Sequence, residues 1–93
     1  MNFAVVEDSR SQAEVLKALL KSEGHQAEIF AEGRACLEAL QTRSFDCFIL
    51  DWTLPDMEGM EVLRQVRAQC GWDVPVIFCT ARTDEEAASD ILR

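Results

Sequence analysis

The chain has 93 residues, a length that suits one domain and leaves no room for two. Nearly half of the residues are apolar (48%), enough to build a hydrophobic core. The formal net charge of -8 at pH 7 argues against direct binding to nucleic acid, because contacts to phosphate backbones require clusters of Lys and Arg. The charge instead favours a domain that meets basic partners or binds cations.

The cysteines and the N-terminal residues indicate where the protein works. None of the four cysteines forms a C-x-x-C pair, and His25 lies near none of them, so we expect no zinc site. Only a short apolar run precedes Glu7 and Asp8, which predicts no signal peptide. No apolar run approaches the ~20 residues of a membrane span. These features predict a cytoplasmic protein with reduced, structural thiols and no membrane contact.

Strand-like and helix-like segments alternate in the first half of the chain. The apolar run at residues 3–6 predicts a strand, and apolar side chains at helical spacing predict a helix over residues 9–22. Gln26–Phe30 predicts a second, weaker strand. A further helical pattern covers residues 32–42.

The second half continues the alternation with two strongly apolar strands. The first is predicted at residues 46–50 and is followed by a loop at 51–59 and a helix at 60–70. The second is predicted from Val74 to Cys79, with Pro75 near its start. A polar loop at 80–84 then leads to a helix over 84–92, with Asp84 as its N-cap.

This alternation predicts a parallel sheet wrapped by helices on both faces. Central strands of such sheets are continuous apolar runs, as FAVV, CFIL and VIFC are here. The predicted fold is therefore an α/β, flavodoxin-like doubly wound parallel sheet. In that architecture, ligands bind beyond the carboxyl ends of the strands.

Polar side chains follow three of the predicted strands. Glu7 and Asp8 end the first strand, Asp51 ends the third and Thr80 ends the fourth, so all four are expected at one edge of the sheet. Converging carboxylates repel one another and raise each other's pKa, a conflict that a bound divalent cation removes. Oxygen ligands suit Mg²⁺, or Mn²⁺ in its place.

A purely structural interpretation is also open for each of these residues alone. Asp8 or Ser9 could cap the first helix, because acidic and hydroxyl side chains are common N-caps. Thr80 could be an ordinary turn residue. The joint placement of the acids and the hydroxyl on three strand ends favours the functional interpretation.

Three stretches carry a family resemblance: VVEDS at residues 5–9, LDWTLPDMEG at 50–59 and PVIFCTA at 75–81. In content, order and separation they resemble the receiver domain of two-component response regulators. The resemblance covers the whole chain, which implies one receiver domain over residues 1–93. The middle stretch is the most specific, and the resemblance implies that its Pro55 and Gly59 shape the loop beneath the site.

The resemblance implies a role for each residue of the site. Asp51 would be the phosphoacceptor, taking a phosphoryl group from a sensor histidine kinase or a histidine phosphotransfer protein. Asp8 and Asp51 would bind Mg²⁺ directly, Glu7 through water, and Thr53 through its backbone carbonyl. Thr80 would hydrogen-bond the phosphoryl group and act as the switch that controls an output. Such a domain catalyses only its own phosphorylation and dephosphorylation, so it is not an enzyme in the usual sense.

The C-terminal part departs from the family pattern. Receiver domains continue with a fifth strand, which ends in a lysine that pairs with the phosphoryl group, and with a fifth helix; this sequence stops inside the expected fourth helix. The resemblance therefore implies a domain that is incomplete at its C-terminus. Without a fifth strand, the strand from Val74 to Cys79 would be an exposed edge, which invites pairing with another chain. We expect the isolated chain to form a homodimer or to exchange elements through this strand.

Two other functions remain open at the level of sequence. The chain could be a non-phosphorylated, receiver-like interaction module that keeps the acids without the chemistry, an alternative that the missing lysine leaves open. It could also be a phosphatase with an aspartyl nucleophile, similar to haloacid dehalogenase-like enzymes. Those enzymes need a second aspartate two residues after the nucleophile, where Thr53 stands here.

Overall fold

The computed structural model describes residues 1–78, which form one four-stranded parallel sheet and three helices. The strands are β1 (Asn2–Val6), β2 (Gln26–Phe30), β3 (Cys47–Leu50) and β4 (Val76–Phe78), and the helices are α1 (Arg10–Ser22), α2 (Gly33–Ala39) and α3 (Gly59–Cys70). The strand order is β2-β1-β3-β4. The prediction of a flavodoxin-like doubly wound sheet is confirmed.

The hydrophobic core lies between the sheet and the helices α2 and α3. Phe48 and Leu50 of β3 are fully buried and belong to the same cluster as Val62 and Val66 of α3. Successive strand residues point to opposite faces, so Ile49 lies on the other side of the sheet. All four residues of β3 are buried, as expected for a central strand covered on both faces.

Two elements are shorter than their sequence pattern predicts. The helix expected over 32–42 ends at Ala39, and the chain then tightens, since the amides of Gln41 and Thr42 bond to carbonyls three residues earlier. The fourth strand contains Val76–Phe78 within the predicted 74–79. Pro75 still accepts a hydrogen bond from the amide of Phe48 at 3.0 Å, while Cys79 lies outside the described residues.

The register of the sheet aligns the carboxyl ends of its four strands. Val6 pairs with Leu50, and Leu50 pairs with Phe78 in the same row. The hydrogen-bond ladder continues one residue beyond the strands. The amide of Asp51 donates to the carbonyl of Val6 at 3.0 Å, and the amide of Glu7 donates to the carbonyl of Phe30 at 2.9 Å. The polar residues that follow β1 and β3 therefore leave the sheet at the same level.

Within residues 1–78, β4 is one of the two edge strands of the sheet, and its Ile77 is about half exposed (52%). An exposed apolar strand edge is a general route to pairing between chains. The homodimer or element exchange expected through this strand stays a prediction. Within the same residues, no helix combines the length and the apolar character needed to cross a bilayer.

Two of the described thiols lie in the apolar interior, where a thiol behaves as a small apolar side chain. Cys36 and Cys47 are buried, and burial raises the pKa of Cys36 to about 12. A thiol with such a pKa is protonated at neutral pH, so it is a poor nucleophile. This agrees with the structural role expected from the sequence.

Candidate functional site

Three carboxylates meet at the carboxyl edge of the sheet. Glu7, Asp8 and Asp51 each place one carboxylate oxygen so that these oxygens all lie within 4.8 Å of one another. Glu7 is buried (3% exposed), Asp51 is half-buried and Asp8 is exposed. The structure thus brings together the three acids that the sequence analysis placed at one edge.

The buried carboxylate is the one whose charge is hardest to accommodate. Burial raises the pKa of Glu7, and the neighbouring charges of Asp51 and Asp8 raise it further. The amide of Ser9 donates to Glu7 Oε1 at 2.9 Å, which acts in the opposite direction without cancelling the effect. Glu7 therefore holds a proton more readily than an ordinary glutamate, unless a cation compensates its charge.

The donor set fits a hard divalent cation. Its three contributors, one buried and two open to solvent, all offer oxygen atoms, and no sulfur or imidazole nitrogen belongs to this group. Mg²⁺ typically binds one or two carboxylates while keeping several waters, and Mn²⁺ accepts the same ligands. Burial is the main reason that the pKa of Glu7 is raised, and the charges of Asp51 and Asp8 add to it, so a cation in the cluster would favour the charged form of Glu7.

The N-cap of α1 separates one structural interpretation from the functional one. Ser9 occupies the N-cap position of α1, where its carbonyl accepts the amide of Ala13 at 2.9 Å. Its side chain makes no capping hydrogen bond, and its hydroxyl lies 3.4 Å from that of Ser11. Capping by the Ser9 side chain is therefore wrong.

The loop that follows Asp51 is a closed turn. Thr53 is exposed and forms an antiparallel bridge with Glu58, and the amide of Leu54 bonds to the carbonyl of Met57 at 3.2 Å. Leu54 is buried and anchors the turn in the core. Thr80, the fourth residue expected at this edge, lies outside the described residues.

Gly59 lets the start of α3 approach the backbone of Asp51 closely. Its amide donates to the carbonyl of Trp52 at 2.7 Å, and a Cβ at this position would lie well inside van der Waals contact of the Asp51 carbonyl oxygen. The same Cβ would lie 3.1 Å from the ring of Phe78, against which Trp52 stacks at a centroid distance of 4.4 Å. The start of α3 therefore packs directly beneath the backbone of Asp51.

Sequence reasoning missed one polar residue of this loop, Asp56. Its Oδ1 accepts the amide of Gly33 and its Oδ2 accepts the amide of Arg34, both at 2.9 Å. Partial burial raises the pKa of Asp56, but the amide donors and the charge of Arg34 outweigh it, so the pKa is lowered. A weak signal was present, since Glu32 at the N-cap of α2 is not a favoured capping residue.

A comparison with protein families decides the relationship. The family model for the response regulator receiver domain matches residues 3–93. The chain belongs to this family. The receiver domain is a signalling family rather than a classical enzyme family, and its members act in two-component signal transduction.

Curated relatives agree with the assignment. The transcriptional regulatory protein DltR of Streptococcus agalactiae is 39% identical over 83 residues, which cover 89% of this chain and 37% of DltR. The sensory transduction protein RegX3 of Mycobacterium tuberculosis is 41% identical over 81 residues, covering 87% of this chain and 35% of RegX3. The chain thus spans a little over one third of the length of these relatives.

Solved structures share the fold. The receiver domain of the sensor histidine kinase PA1611 from Pseudomonas aeruginosa superposes with a TM-score of 0.82 at 28% identity, covering 98% of this receiver domain and 75% of that chain. That structure is described with a magnesium ion coordinated in the active site cleft.

The electrostatics of Glu7 generate a first prediction. Because the folded pKa of Glu7 lies above its ordinary value of 4.5, protonation of Glu7 stabilises the fold. This contribution is complete below about pH 4.5 and is lost as the pH rises through the raised folded pKa. In the absence of divalent cations, Glu7→Gln should increase the free energy of unfolding at pH 7 by on the order of 1 kcal/mol, and the gain should fade towards pH 4.5.

Urea denaturation at a series of pH values measures this gain. Glu14→Gln on the exposed surface of α1 is the matched control, because it removes the same charge outside the carboxylate cluster. A Glu7→Gln variant that is less stable than the wild type at neutral pH, or that behaves as Glu14→Gln does, would contradict the assigned electrostatics.

The packing of Gly59 generates a second prediction. Gly59→Ala should lower the free energy of unfolding by about 1–3 kcal/mol, because the new methyl group must displace the backbone of Asp51. It should also weaken Mg²⁺ binding, measured by calorimetric titration of the folded variant. Gly24→Ala is the control, since it strains a positive φ of 86° in open space at the other edge of the sheet. Equal Mg²⁺ affinity for both variants would refute the coupling of Gly59 to the site.

Proposed function

We propose that this receiver domain accepts a phosphoryl group on Asp51 from a phosphohistidine of a sensor histidine kinase or a histidine phosphotransfer protein. The observation that carries the proposal is the meeting of Asp51 with Glu7 and Asp8 at the carboxyl edge of the sheet. Carboxylates can serve as nucleophiles, and phosphoryl transfer depends mainly on positioning and on neutralised oxygen charge.

In the proposed transfer, Asp51 is the attacking group and the surrounding backbone holds it in place. An oxygen of Asp51 attacks the phosphorus, the bond from phosphorus to the donor imidazole breaks, and an acyl phosphate forms while the imidazole takes up a proton. The backbone of Asp51 is held for this attack by its hydrogen bond to Val6 and by the close packing of Gly59. The tightly packed strand end favours a fixed attack geometry.

We infer that a divalent cation, Mg²⁺ or Mn²⁺, binds to the carboxylate cluster. Asp8 and Asp51 would bind it directly, Glu7 through water and Thr53 through its backbone carbonyl. When bound, the ion neutralises charge on the phosphoryl oxygens. Support comes from the oxygen-only donor set, from the raised pKa of Glu7 and from the magnesium ion in the related PA1611 receiver domain.

The remaining parts of the proposal concern the whole domain. Residues 1–93 would form a single receiver domain that modifies only itself, works in the cytoplasm and contacts protein partners rather than nucleic acid. Thr80 would hydrogen-bond the phosphoryl group and switch the output. Membership in the family, whose model matches residues 3–93, supports these assignments.

Phosphorylation by a small donor tests the proposal directly. Incubation with acetyl phosphate and Mg²⁺ should yield one phosphate adduct per chain, seen by intact-mass spectrometry and lost on Asp51→Asn. Chelation of Mg²⁺ should reduce the adduct more than tenfold, because several kcal/mol of charge stabilisation are removed. Asp46→Asn is the matched control, since Asp46 is an exposed aspartate at the opposite end of β3.

Each other outcome identifies a different function. A folded protein that binds Mg²⁺ without forming an adduct would contradict the proposal and favour an interaction module without phosphorylation. Sustained release of inorganic phosphate over many turnovers would favour a phosphatase with an aspartyl nucleophile. An adduct that survives Asp51→Asn would place the acceptor at another residue.

A further inference from the structure

The loop between β3 and α3 is closed at its base. The amide of Gly59 bonds to the carbonyl of Trp52 at 2.7 Å, and Thr53 is bridged to Glu58. These contacts join the two ends of the loop immediately after Asp51. The tip of the loop, at Pro55 and Asp56, projects beyond these contacts, and the turn beneath it is closed by the hydrogen bond from the amide of Leu54 to the carbonyl of Met57 at 3.2 Å.

The tip is held by a different part of the fold. The carboxylate of Asp56 accepts the amides of Gly33 and Arg34, with one bond to each oxygen at 2.9 Å. These amides belong to the first turn of α2 and lie more than twenty residues away in the sequence. Helix amides in the first turn have no partner within the helix, so an outside carboxylate satisfies them well.

Apolar packing reinforces this contact. A Cβ at position 33 would lie 2.7 Å from Cγ of Met57 and 2.8 Å from Cγ2 of Val62, so the glycine lets the backbone of α2 rest directly against the loop and α3. Gly33 is accordingly buried. The loop tip is therefore joined to α2 by two hydrogen bonds and by close packing beside them.

We propose that Asp56 is a positioning residue for the phosphoacceptor site, tying the loop tip to α2 and thereby restricting the backbone that carries Asp51 and Thr53. The inference rests on the proposed binding of a divalent cation at this site. A simple helix cap would stabilise α2 and leave the carboxylate cluster unaffected. A positioning residue must also alter what the cluster binds.

Two measurable effects distinguish a positioning residue from a simple helix cap. Mg²⁺ demands near-ideal octahedral geometry, so a loop released at its tip should present Thr53 less precisely and bind the ion more weakly. Coupling between two sites is reciprocal, so Mg²⁺ at the cluster should in turn strengthen the contact to α2. The amide protons of Gly33 and Arg34 should then exchange with solvent more slowly when Mg²⁺ is present.

Calorimetric Mg²⁺ titration and amide hydrogen exchange of the 93-residue chain test the proposal. Asp56→Ala should weaken Mg²⁺ binding by about tenfold, the range seen for residues that orient metal ligands. It should also abolish the Mg²⁺-dependent protection at positions 33 and 34. Asp56→Asn should lose less affinity, because its amide oxygen still accepts one hydrogen bond although the charge is gone.

Val66→Ala is the stability control, because it opens a cavity in the fully buried part of α3, away from the loop. It should destabilise the protein and leave the Mg²⁺ affinity of the folded state unchanged. Wild-type affinity in Asp56→Ala, or an equal loss in Asp56→Asn or in Val66→Ala, would overturn the positioning role. A wild-type protein that binds no Mg²⁺ would overturn the cation site itself, and the positioning role with it.

Discussion

The structure depends on the register between β1 and β3. Because Val6 pairs with Leu50, the residues that follow these two buried strands leave the sheet side by side, and each of those residues is an acid. Both faces of these strands are buried, so a shift of one residue would move each apolar side chain to the opposite face, where different neighbours pack against it. Core packing thus imposes a concentration of negative charge at one edge, where burial and the charges of Asp51 and Asp8 together raise the pKa of Glu7. A bound cation would compensate this negative charge.

The loop after Asp51 fixes the position of this acid among those that the register brings together. Gly59 brings the first turn of α3 beneath the Asp51 backbone, while Asp56 connects the far end of the loop to α2. Asp51, the proposed nucleophile, is therefore carried on a segment attached to a strand and to two helices. Such attachment is what phosphoryl transfer requires, since positioning supplies much of its rate. It also offers a route by which events at the site can reach α2.

The sequence predicts the strands and the carboxylate cluster well, because both follow from local patterns. Continuous apolar runs mark the buried strands, and acids placed directly after β1 and β3 must share an edge once the sheet is parallel. The end of α2 was predicted three residues late, because its tightened final turn has no distinct sequence pattern. The contact of Asp56 was missed because it joins residues distant in sequence and has no periodicity. The predictions for Thr80 and the helix over 84–92 fall outside the described residues.

The proposed site requires that the three clustered carboxylates bind one divalent cation as a unit. Calorimetric titration of the folded protein with Mg²⁺ tests it most directly, with Asp8→Asn as the variant and Asp46→Asn as a control at the opposite end of β3. We expect one ion per chain for the wild type and the control, and no measurable binding for Asp8→Asn. Absence of binding in the wild type, or unchanged binding after Asp8→Asn, would contradict it.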